Sequence, residues 1–220
     1  PEVVKVDSKG DAKGYPTDGQ FYLLTIRVTS PGSYLSGVEG IYRWVRTDHV
    51  LLPSSVIYPP GLTDKEEEKQ SKAEMKGSQD FARTVALDYL TRNYPNGGYE
   101  KLRAEDILID VKNTGGPSGG MIFTLAVIEL LTEENLLNGR SVAGTGTIEK
   151  DGKIGAIGGI EEKLVAAQRA GVDLFLAPKE NCSELSSIPE GITVAAVGTL
   201  DEAVAALSSK RPKGCDSLGA

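Results

Sequence analysis

The run Ile107-Leu108-Ile109-Asp110-Val111, followed by Asn113-Thr114-Gly115-Gly116-Pro117-Ser118-Gly119-Gly120-Met121, decides how the rest of this chain is read. Its first part is short, apolar and alternating, which predicts a strand. From Met121 to Leu131 apolar residues recur at helical spacing and predict a helix. A serine between that strand and that helix stands near the first helical turn, where backbone N–H groups lack partners and the helix dipole favours negative charge. Glycines on both sides let another molecule approach the backbone closely. Such a turn can hold a phosphate, or it can hold the oxyanion of an acyl-transfer intermediate. The residues after it must choose between these uses.

The chain of 220 residues is long enough for one substantial core, with or without a smaller appended part. Its net charge of −7, from 24 basic and 31 acidic residues, argues against a nucleic-acid partner. No run approaches eighteen apolar residues and no signal peptide is visible, so the sequence as it stands reads as soluble. It opens on Pro1, which leaves room for an upstream segment. The two cysteines, Cys182 and Cys215, suggest neither a disulfide framework nor a metal cluster. Cys215 falls in a polar stretch from Ser208 onward that reads as a disordered tail (209–220). The single histidine, His49, excludes most histidine-dependent chemistry.

Residues 1–20 read as a loose lead-in. Phe21 to Val28, rich in aromatic and β-branched residues, predicts a strand that Pro31-Gly32 ends. Short apolar pieces follow at Gly40 to Val45 and Val50 to Tyr58. Thr63 and Glu66 form a capping-box pattern that opens a charged, solvated helical face from Lys65 to Lys76. Beyond Gly77, the residues Phe81, Val85 and Tyr89 recur every four positions and predict an amphipathic helix packed on the main body. Asn93-Tyr94-Pro95-Asn96-Gly97-Gly98 breaks the pattern. Downstream come a strand from Ser141 to Ile148, a turn at Asp151-Gly152 and a helix from Ile160 to Ala170 that Gly171 closes. Strands from Val172 to Ala177 and from Ile192 to Val197 follow, then a helix capped by Thr199 and Glu202. Short connections between mixed elements predict an α/β or α+β domain.

On the helix from Ile160, Lys163 shares a face with Ile160 and Ala167, whereas Glu161, Glu162 and Arg169 can face water. Desolvation penalises an ammonium on a buried stripe. Taken alone, Lys163 reads either as a lysine whose stem lies on apolar surface while its head reaches water, or as an amine kept neutral to act as a base.

Together these stretches resemble the proteolytic domain of Lon-type proteases. Gly116-Pro117-Ser118-Gly119-Gly120 is similar to that family's nucleophile motif. Thr145-Gly146-Thr147-Ile148, Gly152-Lys153-Ile154 and Ile157-Gly158-Gly159-Ile160-Glu161-Glu162-Lys163-Leu164-Val165-Ala166-Ala167 resemble the segment carrying its lysine. Lys163 follows Ser118 by 45 positions, about the family's separation. The likeness is close over Asp106 to Leu207 and weaker over Pro1 to Leu90. It implies a Ser-Lys dyad, with Ser118 as nucleophile and Lys163 as general base and acid. Thr145 would hold the lysine amine, and backbone N–H groups of Ser118 and Gly119 would form the oxyanion hole. The chemistry agrees independently, because serine needs a base to take its proton and a lysine can serve where histidine does not. Lys163 must then fall from about 10.4 to roughly 7–8. That shift costs the charged form about 4 kcal/mol, within what burial supplies.

The fold implied is α+β, a Lon protease-domain-like mixed β-sheet with packed helices and an N-terminal β/α extension. The boundaries expected are 1–92 for the extension and helix, 93–102 for a linker, 103–208 for the proteolytic domain and 209–220 for the tail. Many Lon proteases carry an acidic residue three positions before the serine, where this chain has Gly115. No Gly-x-x-x-x-Gly-Lys-[Ser/Thr] occurs, so neither an ATP site nor any other cofactor or metal is expected. The N-terminal half, through Tyr22 to Val28, Tyr58-Pro59-Pro60 and Met75 to Leu90, resembles the membrane-anchored, PDZ-containing Lon-like proteases of bacteria. Only Asn93 to Leu102 stands where that branch has its PDZ domain, which needs roughly 50 residues or more. The resemblance implies an ATP-independent endopeptidase acting on unfolded or loosely held polypeptides, assembled as a homo-oligomeric ring such as a hexamer. It also implies a full-length protein tethered to the bacterial cell membrane with its protease part outside the cytoplasm. Two other readings stay open: a phosphate- or nucleotide-binding domain of small-molecule-kinase type, and a non-catalytic binding scaffold with the protease fold.

Overall fold

A computed structural model describes residues 4–6, 13–45 and 49–215. Its centre is a four-stranded parallel sheet built from β2 (Gln20–Leu23), β4 (Ser141–Gly144), β7 (Leu174–Pro178) and β8 (Thr193–Val197), in the order β2-β4-β7-β8. Side chains alternate across a strand, and here alternate residues enter two separate cores. Val142, Leu174, Leu176, Ala195 and Val197 join the larger one. Ala143, Phe175, Ala177, Val194 and Ala196 join the other. A parallel sheet covered on both faces reads as continuous apolar runs, and β7 and β8 do so.

Helices cover both faces. On the larger core lie α3 (Asp64–Asn93), α4 (Gly120–Leu131) and α6 (Leu200–Ser208), which bring Leu90, Phe123, Ile128 and Leu207 to it. On the other face lies α5 (Ile160–Arg169), through Ile160, Leu164 and Ala167. Gly171, at φ +68°, supplies the left-handed turn that ends α5. Two small antiparallel pairs complete the frame: β1 (Val4–Val6) with β3 (Ile107–Ile109), and the hairpin of β5 (Thr147–Ile148) and β6 (Ile154–Gly155). The α+β class is as expected.

Several elements differ from the expectations. The lead-in contributes β1, because β3 offers Val4–Val6 an edge to pair with; residues 7–12 lie outside the described residues. The strand foreseen over Phe21 to Val28 is Gln20–Leu23, since its partner β4 ends at Gly144, opposite Leu23. The strand foreseen from Ser141 to Ile148 divides in two. Thr145 N–H donates to Leu176 O and Gly146 N–H to Ser118 O, so pairing passes from the sheet to the serine turn. The solvated and amphipathic halves around Gly77 form one helix, α3, opened by the expected Thr63–Glu66 capping box. A helical glycine costs about 1 kcal/mol, which the packing of α3 on α4 offsets. Its buried stripe runs through Met75, Ser78, Ala82, Val85, Ala86, Tyr89 and Leu90, while Phe81 faces out.

The reading of the cysteines is overturned. Cys182 and Cys215 form a disulfide that spans 33 positions. The stretch expected as a disordered tail is held as far as Cys215: Ala196 N–H donates to Lys213 O and Cys215 is buried in the second core. Residues 216–220 lie outside the described residues. Between β2 and α3 the chain forms α1 (Gly37–Trp44) and α2 (Ser54–Ile57), neither of which buries a residue.

Candidate active site

Because α4 and α5 cover opposite faces of the sheet, their side chains can meet only past a strand end. That place lies beyond the carboxyl end of β4, where an open α/β sheet commonly leaves its crevice. Ser118 precedes α4, Lys163 points inward from the first turn of α5, and Thr145 follows β4 between them. The structure brings all three together. Lys163 Nζ lies 2.9 Å from Ser118 Oγ and 3.1 Å from Thr145 Oγ1. The Thr145 hydroxyl donates in turn to Ser118 O at 3.1 Å.

Electrostatically the lysine is the unusual member. Its exposure is 3%, and Thr145 beside it is also buried. Burial lowers the Lys163 amine to about 8, with the negative charge of Glu162 acting weakly the other way. A neutral amine has two N–H donors and one lone pair. Donation to Thr145 leaves the lone pair for the Ser118 hydroxyl proton.

The serine turn is held from three directions. Gly146 N–H donates to Ser118 O at 2.8 Å, and Gly116 N–H donates to Ser71 O at 2.9 Å. Ser78, buried on α3, donates to Pro117 O at 3.1 Å. Gly116, at φ +78°, makes the bend a glycine allows. At the start of α4 the N–H groups of Gly120 and Met121 are taken by Pro117 O and Gly146 O. Those of Ser118 and Gly119 donate to no acceptor among the described residues. Gly115 owes its size to α3: a Cβ there would collide with the Ser71 side chain. An acidic residue at this position requires the Ser71 side chain to turn away and α3 to give slightly.

A cleft of about 340 Å³ opens beside Ser118, lined by Pro117, Thr147, Ala156, Ile157 and Gly158. Its lining is mostly apolar, with Ser118 and Thr147 the residues that carry hydroxyls. Sequence reading missed Ser71, Ser78 and Asn181, which support this geometry. Ser78 carried a faint signal, a small polar residue within the apolar stripe of α3. Asn181 carried none.

The profile of the Lon protease (S16) C-terminal proteolytic domain matches residues 75–208, which begins within α3 and takes in all three site residues. Relatives agree. The Lon protease of Haemophilus influenzae is 39% identical over 105 residues, 46% of this chain and 13% of that protein. That of Clostridioides difficile is 44% identical over 77 residues, 35% of this chain and 10% of that protein. That of Clostridium acetobutylicum is 30% identical over 162 residues, 71% of this chain and 20% of that protein. The chain thus spans a fifth or less of the length of these relatives. A match over more than half of its residues nonetheless shows that this chain belongs to the Lon protease (S16) C-terminal proteolytic domain family, among the serine peptidases.

Proposed function

We propose that this chain is an ATP-independent serine endopeptidase that cuts unfolded or loosely structured polypeptides through a Ser118–Lys163 dyad. The observation that carries the reading is a buried amine, lowered to about 8, within 2.9 Å of a serine hydroxyl at a helix start. Lys163 Nζ takes the Ser118 proton as Oγ bonds to the substrate carbonyl carbon. The carbonyl oxygen becomes an oxyanion, to which the N–H groups of Ser118 and Gly119 can donate. The resulting ammonium gives its proton to the departing amine as the C–N bond breaks, leaving an ester on Ser118. Water then attacks the ester, Lys163 takes a proton from that water, and Ser118 leaves with the proton returned. Thr145 keeps the amine aimed at Oγ throughout.

The 220 residues carry no phosphate-loop lysine motif, so no step in this sequence draws on ATP. Acting by itself, the domain takes chains already loose enough to enter the cleft. The likeness of the N-terminal half to membrane-anchored Lon-like proteases supports tethering of the full-length protein at the bacterial membrane, and the resemblance to Lon-type proteases as a whole supports assembly as a homo-oligomeric ring. Among the described residues no helix is long and apolar enough to cross a membrane, so the anchor in this reading lies in another segment.

The test is cleavage of a denatured polypeptide by the wild-type chain and by Ser118→Ala, with and without ATP. The expected result is cleavage by the wild type at equal rates in both conditions, with none by the variant. Full activity in Ser118→Ala overturns the nucleophile, and a requirement for ATP overturns the independence. A large nucleotide-dependent rise in melting temperature would point instead to the phosphate-binding alternative.

A further inference from the structure

Asn181 is fully buried, and its carboxamide binds both backbone groups of a single residue in the cleft wall. Its Oδ1 accepts from Ile157 N–H at 2.9 Å and its Nδ2 donates to Ile157 O at 2.9 Å. The same Nδ2 also donates to Glu184 Oε1 at 2.7 Å. We propose that Asn181 is a positioning residue for polypeptide binding: it stands in for a missing neighbouring strand and holds the Ala156–Gly158 wall in place beside Ser118.

The wall needs such a holder. Ladder pairing between β5 and β6 ends at Gly155. Ala156, Ile157 and Gly158 continue past it along the cleft, and Gly159 turns the chain into α5 at φ +71°. Two consecutive glycines leave this end of the wall with more conformational freedom than other residues would. Upstream, Ile154 N–H donates to Gly198 O, and the Ile157 side chain packs on the second core; Asn181 adds the hold on the backbone of Ile157 itself.

Asn181 is itself well placed to resist movement. It belongs to a 3₁₀ turn, Lys179–Glu184, that follows β7, and the adjoining Cys182 is bonded to Cys215. The Ser118–Lys163–Thr145 contacts involve neither Asn181 nor Ile157. Loosening the wall is therefore expected to act on substrate binding; because Gly159, next to the wall, accepts the Lys163 backbone N–H, labelling of Ser118 checks that the reacting groups stay in place.

This inference rests on the proposed nucleophile, and its test separates the two. Asn181→Asp keeps the acceptor for Ile157 N–H but removes the donor to both Ile157 O and Glu184 Oε1, and sets a second carboxylate beside Glu184. Asn181→Ala removes both. Glu184→Gln, which keeps the clamp, serves as the control. Each is assayed with a fluorogenic peptide derived from an unfolded polypeptide that the wild type cuts, and with a small phosphonate that labels serine and carries no peptide. The expected result is a KM raised about tenfold or more in Asn181→Asp, because Ile157 O in the wall loses its donor and Glu184 gains a carboxylate neighbour, with kcat, labelling rate and its pH midpoint unchanged. Glu184→Gln stays near wild type. An unchanged KM, or a fall in kcat and labelling together, overturns the proposal. Should neither Asn181 variant fold, amide hydrogen exchange in the wild type decides: strong protection of Ile157 N–H supports the clamp, and exchange at the rate of a free amide overturns it. If Ser118→Ala keeps full activity, the nucleophile fails whatever Asn181 does. If Ser118→Ala is inactive while Asn181→Asp keeps its KM, only the clamp fails.

Discussion

Lys163 Nζ sits 2.9 Å from Ser118 Oγ although α5, which carries the lysine, and α4, which the serine precedes, cover opposite faces of the central sheet. They meet at the end of β4, where Gly144-Thr145-Gly146 leaves the sheet. The pair thus depends on a strand ending there, and Thr145 at that end bonds to both partners.

The pH dependence follows from the lysine. Its folded value of about 8 lies below its ordinary one, so the reactive neutral form grows as pH rises through that value. Labelling of Ser118 by a serine-directed acylating probe should increase from pH 6 and level off about one unit above 8. A flat profile between about pH 6 and 9 would speak against the neutral amine as base.

Stability should move the other way from activity when the lysine is removed. Below about pH 8 the unfolded chain binds this proton more tightly than the folded one, so the charge opposes folding, and stability gains as pH rises from about 8 toward 10.4. Lys163→Met should therefore be inactive yet more stable at pH 6, by up to about 3 kcal/mol. Denaturant unfolding at pH 6 and pH 10 checks both the size and the shrinkage of the gain.

Thr145→Val keeps the shape of the side chain and removes its hydroxyl. Lys163 then loses one acceptor and Ser118 O loses one of two donors. The rate of peptide cleavage should fall about 10- to 100-fold, with a stability loss of about 1–3 kcal/mol. A variant that cleaves at the wild-type rate would leave Thr145 an ordinary buried threonine.

Gly115→Asp introduces an acidic residue whose Cβ runs into the Ser71 side chain on α3. A loss of about 1–3 kcal/mol is expected. The double variant with Ser71→Gly should recover part of it, as residues in contact do not act additively. Equal melting temperatures for the single variant and the wild type would show that α3 shifts without cost.

Cys215→Ser opens a cross-link spanning 33 positions. The expected cost is about 2–4 kcal/mol, measured as the drop in unfolding free energy against the oxidised wild type. A reducing agent should lower the wild type to the level of the variant and leave the variant unmoved.

Ser118 and Lys163 could be singled out in the one-dimensional pattern as candidates, and it was the resemblance to Lon-type proteases that joined them into a dyad. A glycine-flanked serine after an apolar strand and a lysine on an apolar helical stripe are local features, and β7 and β8 declare their burial by unbroken apolar runs. The splitting of Ser141 to Ile148 was not legible. It depends on Leu176 and Ser118, distant in the chain, accepting the N–H groups of Thr145 and Gly146. The Cys182–Cys215 bond, the grip of Ser71 and Ser78 on the serine turn, and the hold of Asn181 on Ile157 are of the same kind. Each joins residues 24 or more positions apart, and nothing near either residue in the chain says that the two will meet. Periodicity records which face of an element avoids water; it carries no record of which distant backbone group will satisfy a buried donor, since that depends on how the faces pack.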